Sequence, residues 1–455
     1  MKRLLSLALA GGMIAAGLLA HSAAFAAASI TINPSQANEI ATSYHDLTSE
    51  YYKKVDEQQV LNGARDALVD ALGKHHVTAK IPVLHANGDE ANVRAIELDV
   101  EDAQRAAGKR VSATDLTYSA IAGMLNSVHD RYTVFLDPKD YAELNTGLDG
   151  SDFGGTGIVI QEDDASHYIA VSDVVPGGPA DKDGVQQDDL ITAINGQSTK
   201  GWSIDRASAH LRGKEGTKVS ITLLRNGKTL APITITRAKI HQLSVFEKML
   251  PNNIGYIALT VFGRDTTTEL TAALDRLQKK GARAYILDLR NNGGGYLNAA
   301  VGVSSKFISS GPIVSVESRG SNITTLEASD TAISPPVPLA VLVNQFTASA
   351  SEITSGAIQD SGVGALIGTK TFGKGVVQTI YPLPDGSAVK ITTARYLTPH
   401  NRDINHLGIN PDIVVAEPRT ARFGDPKTDP QLRRAMQYVD DRVAHLSAMN
   451  GTASN

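Results

Sequence analysis

A serine and a lysine in the C-terminal half of the chain have the surroundings that acyl-transfer chemistry requires. The apolar run 339–343 predicts a buried strand, and it leads directly into the Ser/Ala-rich segment 347–351, which predicts the start of a helix. A serine at such a strand-to-helix turn lies beside free backbone N–H groups, which can stabilise an oxyanion. Its hydroxyl is a weak nucleophile and needs a base. Ser349 and Ser351 are both candidates on this evidence.

Lys374 is the candidate base. It lies between Gly373 and Gly375, and glycines allow a close approach of the backbone. A lysine must be uncharged to accept a proton, and burial lowers its pKa because desolvation penalises the ammonium form. Gln378 lies four residues further on. If residues 375–378 begin a strand, its amide would hold the Lys374 amine in line with the serine.

Each of these segments also has a simpler interpretation. A Ser/Ala-rich helix start is commonly only a cap, and a Gly-Lys-Gly sequence is commonly a surface turn. The glycines 293–295 form either a plain loop or a phosphate loop, although the GxxxxGK[ST] spacing is missing. No GxSxG motif is present, which argues against an ordinary α/β-hydrolase.

A second Ser/Lys combination occurs at Ser387 and Lys390, spaced as SxxK. This motif requires a helix, because residues three apart then share a face. The run that ends at 391–393 is typical of a strand, in which these two positions point to opposite faces. We therefore interpret this motif as structural.

Three regions must position these residues, and the first two lie before residue 241. Residues 27–144 read as a helical region, with helices predicted over 36–73 and about 114–128 and a polar stretch at 74–113 between them. Residues 145–240 contain short apolar runs separated by turns such as Asn195-Gly196, which predict hairpins in a small, mostly β domain.

From residue 241 to 415 strands alternate with helices, which predicts an α/β core with a largely parallel sheet. Strands near 365–368, 376–382 and 387–397 are expected to complete that sheet. Sites in such sheets form beyond the carboxyl ends of the strands, where the glycine turn 291–295 and the loop 344–350 fall. The tail 416–455 contains a predicted helix near 431–446. The expected fold class is thus an α/β multidomain protein.

Composition limits the class of protein. The net charge of −5 argues against a nucleic-acid-binding protein, and the absence of cysteine excludes a thiol nucleophile and a Cys-based zinc site. The twelve histidines form no HExxH motif, so we expect neither a metal nor another cofactor.

Residues 1–26 have a basic start, an apolar stretch and a final Ala24-Phe25-Ala26, which predict a secretory signal peptide. The alternative is an uncleaved membrane anchor.

Taken together, the motifs resemble those of the C-terminal processing peptidases, or tail-specific proteases, a family of Ser/Lys serine peptidases. The similarity extends over roughly residues 45–440. It is carried by six segments in the same order along the chain: 135–138, 287–295, 347–352, 371–375, 392–396 and 408–412.

The resemblance implies roles for individual residues. It selects Ser349 over Ser351 as nucleophile, with Lys374 as base and Gln378 completing the dyad. It implies an oxyanion hole made by the N–H groups of Ala350 and a glycine in 293–295, for which we expect Gly294. Gly293 stands where the family usually has proline, and this difference affects the shape of the turn.

Residues 145–240 resemble a PDZ domain, with 153–160 matching its carboxylate-binding loop. Successive N–H groups after glycines bind anions, and an open strand edge accepts a peptide as an added strand. The expected peptide-binding residues are Gly155, Thr156, Gly157, Ile158 and Val159. Asp183 and the segment 187–189 depart from the usual PDZ pattern. The simpler alternative is a glycine hairpin that binds nothing.

The resemblance implies an endopeptidase of the periplasm or cell envelope that cuts exported proteins near their C-termini. Its expected partners are these substrates, with room for an activator or adaptor protein and for a loose association with the membrane. The alternative is a PDZ scaffold whose peptidase domain is inert or held shut until a partner arrives. A lipid- or retinoid-binding relative of the fold is expected to lack the Ser/Lys pair. The stretch 74–113 is an insert relative to the family, and it could act as a lid, a docking element or decoration.

Overall fold

The computed structural model describes residues 32–85, 88–149, 153–163, 165–175, 177–241, 243–329, 331–333, 337–417 and 423–452. The predicted signal segment 1–26 lies outside the described residues. The described chain is an α/β multidomain protein, as expected, with a helical N-terminal region, a small β-rich region and an α/β core.

The N-terminal region is a helical bundle followed by a short strand and a fifth helix. Its elements are α1 (Pro34–Glu50), α2 (Glu57–Lys74), α3 (Asp89–Ala107), α4 (Ala113–Asn126), β1 (Val134–Leu136) and α5 (Pro138–Asp149). The single helix predicted over 36–73 was wrong, because the Asp56 side chain accepts hydrogen bonds from the backbone N–H groups of Gln58 and Gln59 and so begins a new helix. The helix predicted over about 114–128 is confirmed as α4.

The polar stretch 74–113 contains α3, which the sequence interpretation missed. Ile96, Val100 and Ala103 on this helix are fully buried in the bundle core, where α3 packs against α1, α2 and α4. Helix α3 is therefore part of the bundle core rather than a detached lid.

The β-rich region is a small sheet with two short helices and its own apolar core. Its elements are β2 (Phe153–Gly155), β3 (Ile158–Glu162), β4 (Ile169–Val174), α6 (Pro179–Lys182), β5 (Leu190–Ile194), β6 (Gln197–Ser198), α7 (Ile204–Leu211), β7 (Lys218–Arg225), β8 (Lys228–Thr229), β9 (Ile233–Thr236) and β10 (Ala238–Ile240). Strands pair in the order β3-β4-β5-β7-β8, so β3 lies at an edge.

The third region contains two sheets. Its elements are β11 (Val245–Leu250), β12 (Ile254–Leu259), α8 (Thr266–Lys279), β13 (Ala284–Asp288), α9 (Leu297–Ser304), β14 (Pro312–Ser318), β15 (Asn322–Glu327), β16 (Leu339–Val343), α10 (Ala350–Ser361), β17 (Gly364–Gly368), β18 (Val376–Pro382), β19 (Ala388–Leu397), β20 (Ile413–Val414) and α11 (Pro430–Thr452). The larger sheet has the order β11-β12-β13-β16-β17-β20, and it is parallel except for the β11–β12 pair.

Strands β18 and β19 do not complete the parallel sheet, so that expectation was wrong. They form an antiparallel pair in a separate sheet with β1, β14 and β15. The reason is the short connection between them, because a tight hairpin can join only antiparallel neighbours. Apolar residues of this hairpin, Leu383, Val389 and Ile391, pack into the core of the helical bundle.

The larger sheet is covered on both faces and directs two loops to one edge. Helices α8, α9 and α10 pack against one face, and Leu432, Ala435 and Val439 of α11 pack against the other. Strands β13 and β16 are parallel neighbours, so the turn 289–295 and the loop 344–349 leave the sheet side by side.

Candidate active site

Ser349 lies at the turn between β16 and α10, directly before the first residue of the helix. Its backbone has φ 57° and ψ −119°, a conformation that a residue with a Cβ rarely adopts. Such a conformation costs about 1–3 kcal/mol and persists only where the surroundings fix it. Ser351, the other candidate, is fully buried and donates its hydroxyl to the backbone oxygen of Asn292, so its Oγ is already engaged.

Glu352 is the residue that fixes the serine turn, and the sequence interpretation gave it no role. Its carboxylate is fully buried and accepts a hydrogen bond from the N–H of Ser349 at 3.0 Å. It also accepts from Thr371 Oγ1 at 2.6 Å and from the N–H groups of Gly373 and Lys374 at 2.8 and 2.9 Å. Burial raises the pKa of Glu352, and these four hydrogen bonds oppose that shift. One carboxylate thus joins the serine turn to the lysine loop.

Tyr396 of β19 makes a second link between the same two segments. Its hydroxyl lies within hydrogen-bonding distance of the backbone oxygens of Ser349, at 3.2 Å, and of Lys374. The ring is 1% exposed, so its position is fixed by packing. The spacing Ser349-x-x-Glu352 was a signal for the first link, because it is that of a capping box. No local sequence pattern predicts the second link, which Tyr396 makes.

Lys374 is half-buried, and its Nζ lies 4.9 Å from the centroid of the Tyr132 ring. Burial lowers the pKa of Lys374 to about 8, with a further lowering from the like charge of Lys390. Asp130 and Glu352 act in the opposite direction, and Arg131 contributes a smaller lowering. Within the described residues, no hydrogen bond joins Lys374 Nζ to Ser349 Oγ.

Gln378 lies on β18, as the strand hypothesis required. Its Nε2 donates to Thr392 Oγ1 at 3.3 Å, and the described residues show no hydrogen bond between Gln378 and Lys374. The structure therefore brings Gln378 to the site without engaging it with the amine.

The glycine turn lies against the serine turn. The N–H of Gly294, the expected oxyanion donor, donates instead to Asn292 Oδ1 at 2.9 Å. An asparagine readily makes this bond to the residue two positions on. In the described part of the chain, no residue accepts a hydrogen bond from the N–H groups of Gly293, Gly295 or Ala350. A Cβ on Gly294 would lie 2.8 Å from Ser349 Cβ, so the two turns are in direct contact.

A cavity of about 860 Å³ brings the candidate nucleophile, the candidate base and the glycine turn together. It is lined by Ser349, Ala350, Lys374, Gln378, Lys390 and Tyr396, by Gly293, Gly294 and Gly295, and by α5 side chains including Tyr141, Leu144 and Leu148. Its size is that of a site for an extended ligand rather than for a single small group.

The Ser387–Lys390 motif is not a second dyad. Ser387 Oγ donates to Asp385 Oδ1 at 2.6 Å, and Lys390 lies on β19. Lys390 lies in a strand, as the interpretation of this motif predicted. Ser387 lies in the turn directly before that strand.

The β-rich region carries a second cavity, of about 320 Å³, between edge strand β3 and helix α7. Thr156, Gly157, Ile158 and Val159 line it, whereas Gly155 lies in β2, paired to β10. The far wall comes from the core: Leu243, Phe246 and Thr260. Thr260 also lines the larger cavity, so the two cavities are neighbours on either side of this residue.

Within the described residues, His, Asp and Glu side chains form no group of three that could hold a metal ion. Among the same residues, no helix combines the length and apolarity needed to cross a bilayer.

Comparisons with known proteins identify a serine-type endopeptidase with a PDZ domain. Residues 253–415 match peptidase family S41, and residues 149–224 match the PDZ domain. A carboxyl-terminal-processing protease of a Picosynechococcus species is 38% identical over 73% of this chain and 82% of its own length. The carboxy-terminal processing protease CtpA of Bacillus subtilis is 39% identical over 68% of this chain and 66% of its own length.

The chain belongs to the C-terminal processing proteases of peptidase family S41. Among solved structures, the photosystem II D1 C-terminal processing protease is similar, with 29% identity, 88% of this chain and 97% of that chain covered, and a TM-score of 0.46. The family match and the curated relatives confirm the expected family and the expected enzyme class: this is a serine peptidase of the kind that cleaves C-terminal tails.

Proposed function

We propose that this enzyme removes C-terminal segments from exported proteins, with Ser349 as nucleophile and Lys374 as general base. The observation that carries the proposal is the linkage of the two residues: both line one cavity, and Glu352 hydrogen-bonds the backbone of each. With a pKa of about 8, roughly a tenth of Lys374 is uncharged at pH 7 and able to accept a proton.

The reaction then proceeds as an acyl transfer. Lys374 Nζ accepts the proton of Ser349 as Oγ attacks the scissile carbonyl, and it returns that proton to the leaving amine. Water hydrolyses the acyl-enzyme with Lys374 again acting as base. Since Nζ lies over Tyr132 in this structure, its side chain has to move toward Ser349 when substrate binds. Gln378, on the wall of the same cavity, keeps its proposed role of orienting the amine in that arrangement.

For the oxyanion hole we propose Ala350 and Gly295. Ala350 is the first residue of α10, and its N–H has no described acceptor. Gly294 is disfavoured because Asn292 occupies its N–H. Of the remaining glycines, Gly293 stands where the family usually has proline. Proline has no backbone N–H, so relatives with proline cannot use this position as an oxyanion donor. Gly295 is left as the second donor.

For the PDZ domain we propose capture of the substrate C-terminus. Strand β3 is an edge strand, so a peptide can add beside it while the loop at 155–159 receives its terminal carboxylate. Thr260 lines both the groove and the catalytic cavity, so a tail bound in the groove would lie beside the cavity that contains Ser349. We also propose that the enzyme itself is exported, that an activator or adaptor protein can bind it, and that it associates loosely with the membrane.

The decisive variants are Ser349→Ala and Lys374→Met, assayed on a denatured reporter protein by intact-mass spectrometry. We expect each to lose cleavage by roughly 10³-fold or more while the unfolding temperature changes little. Lys370→Met, which removes an exposed lysine from the same loop, is the matched control and should cleave normally. Full activity of Lys374→Met at neutral pH would contradict the mechanism.

The alternative, an enzyme held shut until a partner arrives, is favoured by one observation: Ser349 and Lys374 are not hydrogen-bonded to each other here. It predicts that the purified protein cleaves the reporter only after addition of envelope extract. Cleavage by the purified protein alone would exclude it.

A further inference from the structure

The catalytic cavity contains a second half-buried amine, that of Lys390. Lys390 lies on β19 opposite Ile380 of β18, and Thr392 and Gln378 form the pair two positions along these strands. Among the described residues, no carboxylate lies within ion-pair distance of Lys390, and no hydrogen bond engages its Nζ. A positive charge therefore faces the site without a contacting counter-ion.

The carboxylate of Asp130 lies near both lysines. It accepts a hydrogen bond from Thr133 Oγ1 at 2.9 Å and another from Thr392 Oγ1, which fixes its position. Thr392 is two residues from Lys390 along β19. On the other side, Tyr132, whose ring lies below Lys374 Nζ, is two residues from Asp130. The two amines thus share one acidic neighbour, which cannot neutralise both.

We propose that Lys390 is a positioning residue whose ammonium group keeps Lys374 uncharged by like-charge repulsion across the catalytic cavity. This inference rests on the proposed function, because it assumes that Lys374 acts as the base. It also gives a role to the lysine of the SxxK motif, which is not part of a dyad.

The other charges around the two amines leave this repulsion effective. Asp130 and Arg131 face them from the loop before β1, and Glu352 faces them from α10. Arg264 lines the cavity, and the nearby titratable rings are those of Tyr132, Tyr141, Tyr296 and Tyr396. The Glu352 carboxylate is already occupied by four hydrogen bonds. Burial lowers the pKa of Lys390, and Asp130 opposes that shift. The proposal requires that Lys390 keeps its proton while Lys374 loses its own.

The test is the pH dependence of kcat/KM in Lys390→Met, which removes the charge and keeps the length, and in Lys390→Arg, which keeps the charge. Without the repulsion the pKa of Lys374 rises, so the acid limb of the profile should move to higher pH by roughly one unit. Activity at pH 7 should then fall about tenfold and approach the wild-type value at high pH. Lys390→Arg should retain the wild-type profile. Lys228→Met, an exposed lysine of β8, is the control for loss of one charge.

A second measurement does not require activity. In the Ser349→Ala background, competitive acetylation with acetic anhydride across pH, read by mass spectrometry of the Lys374 peptide, gives the pKa of Lys374 directly. We expect the pKa of Lys374 to rise in Lys390→Met and to equal the wild-type value in Lys390→Arg. An unchanged pKa in Lys390→Met overturns the inference. The inference is also overturned if Lys390→Met has an unshifted pH profile and a raised KM for acidic substrates. That result would assign Lys390 to binding a substrate carboxylate. If Lys374→Met is itself fully active, the proposed function fails instead.

Discussion

At the scale of residues, the site depends on buried polar side chains that hold two short segments together. Ser349 has a positive φ, and the N–H of this strained residue is held by Glu352 while its carbonyl is approached by Tyr396. These hydrogen bonds hold the lysine loop and the serine turn in a fixed arrangement, which is the preorganisation that the proposed mechanism requires.

Glu352→Gln tests this linkage. A glutamine amide has one acceptor oxygen and an NH₂ group that would face N–H donors, so several of the four hydrogen bonds are lost. We expect the free energy of unfolding to fall by about 1–3 kcal/mol, and we expect kcat to fall by a larger factor than KM rises. Thermal unfolding and steady-state kinetics measure the two effects. Glu327→Gln, at an exposed site on β15, should change neither, and a Glu352→Gln enzyme with normal kcat would show that the carboxylate only stabilises the fold.

Ser349, Lys374 and Gln378 could be selected from the sequence because each lies in a recognisable local motif. The bond from Ser349 to Glu352 was foreshadowed by capping-box spacing, but the bonds from Thr371, Gly373 and Lys374 to Glu352, and the role of Tyr396, depend on segments distant in sequence. The expectation of Gly294 as oxyanion donor stays a prediction, and the structure disfavours it because the N–H of Gly294 donates to the Asn292 side chain.

At the scale of elements, the glycine turn gives the clearest prediction. Gly293 has space for additional atoms and no described acceptor for its N–H. If Gly295 is the oxyanion donor, Gly293→Pro should keep activity within about twofold and stabilise the fold by about 0.4–1 kcal/mol. Activity assays and thermal unfolding of the purified variant test both.

The contrasting variant is Gly294→Ala. Its Cβ would lie 2.7 Å from the Ala348 oxygen at a φ of +99°, so the serine turn should be displaced and activity lost. Inactivation by Gly293→Pro in a folded protein would instead assign the oxyanion donor to Gly293.

Helices and strands with strong periodicity were predictable, and their connections were less so. The break between α1 and α2 depends on one capping aspartate, and α3 was hidden by its charged exposed face. Strands β18 and β19 were correctly placed along the chain, but the sequence pattern does not show which sheet a strand joins. The hairpin between them could have indicated an antiparallel pair.

At the scale of the whole molecule, the helical region and the α/β core jointly form the catalytic cavity. Helix α5 and the Tyr132 loop come from the helical region, the serine and glycine turns come from the larger sheet, and Lys374 precedes the hairpin that packs against the bundle. The PDZ groove is likewise completed by the core residues Leu243 and Phe246. Such shared walls were not visible in the sequence, which indicates regions but not how they contact one another.

The proposed function predicts a defined change in cells that carry Ser349→Ala. Exported substrates should accumulate with C-termini extended relative to the wild type, detected by C-terminal peptide mass spectrometry of the envelope fraction. Gln345→Ala, at an exposed loop position near the site, is a control that should leave the C-termini trimmed. Identical C-termini in the Ser349→Ala and wild-type strains would argue against tail removal from exported proteins.

The most direct test of the central claim, that uncharged Lys374 activates Ser349, is the pH profile of kcat/KM for the purified enzyme. Since the pKa of Lys374 is lowered to about 8, the amine is charged and inactive below that value and becomes a base as pH rises through it. We predict an acid limb with its midpoint near pH 8 and a plateau above. A profile that is flat from pH 6 to about 9 would contradict a lysine base.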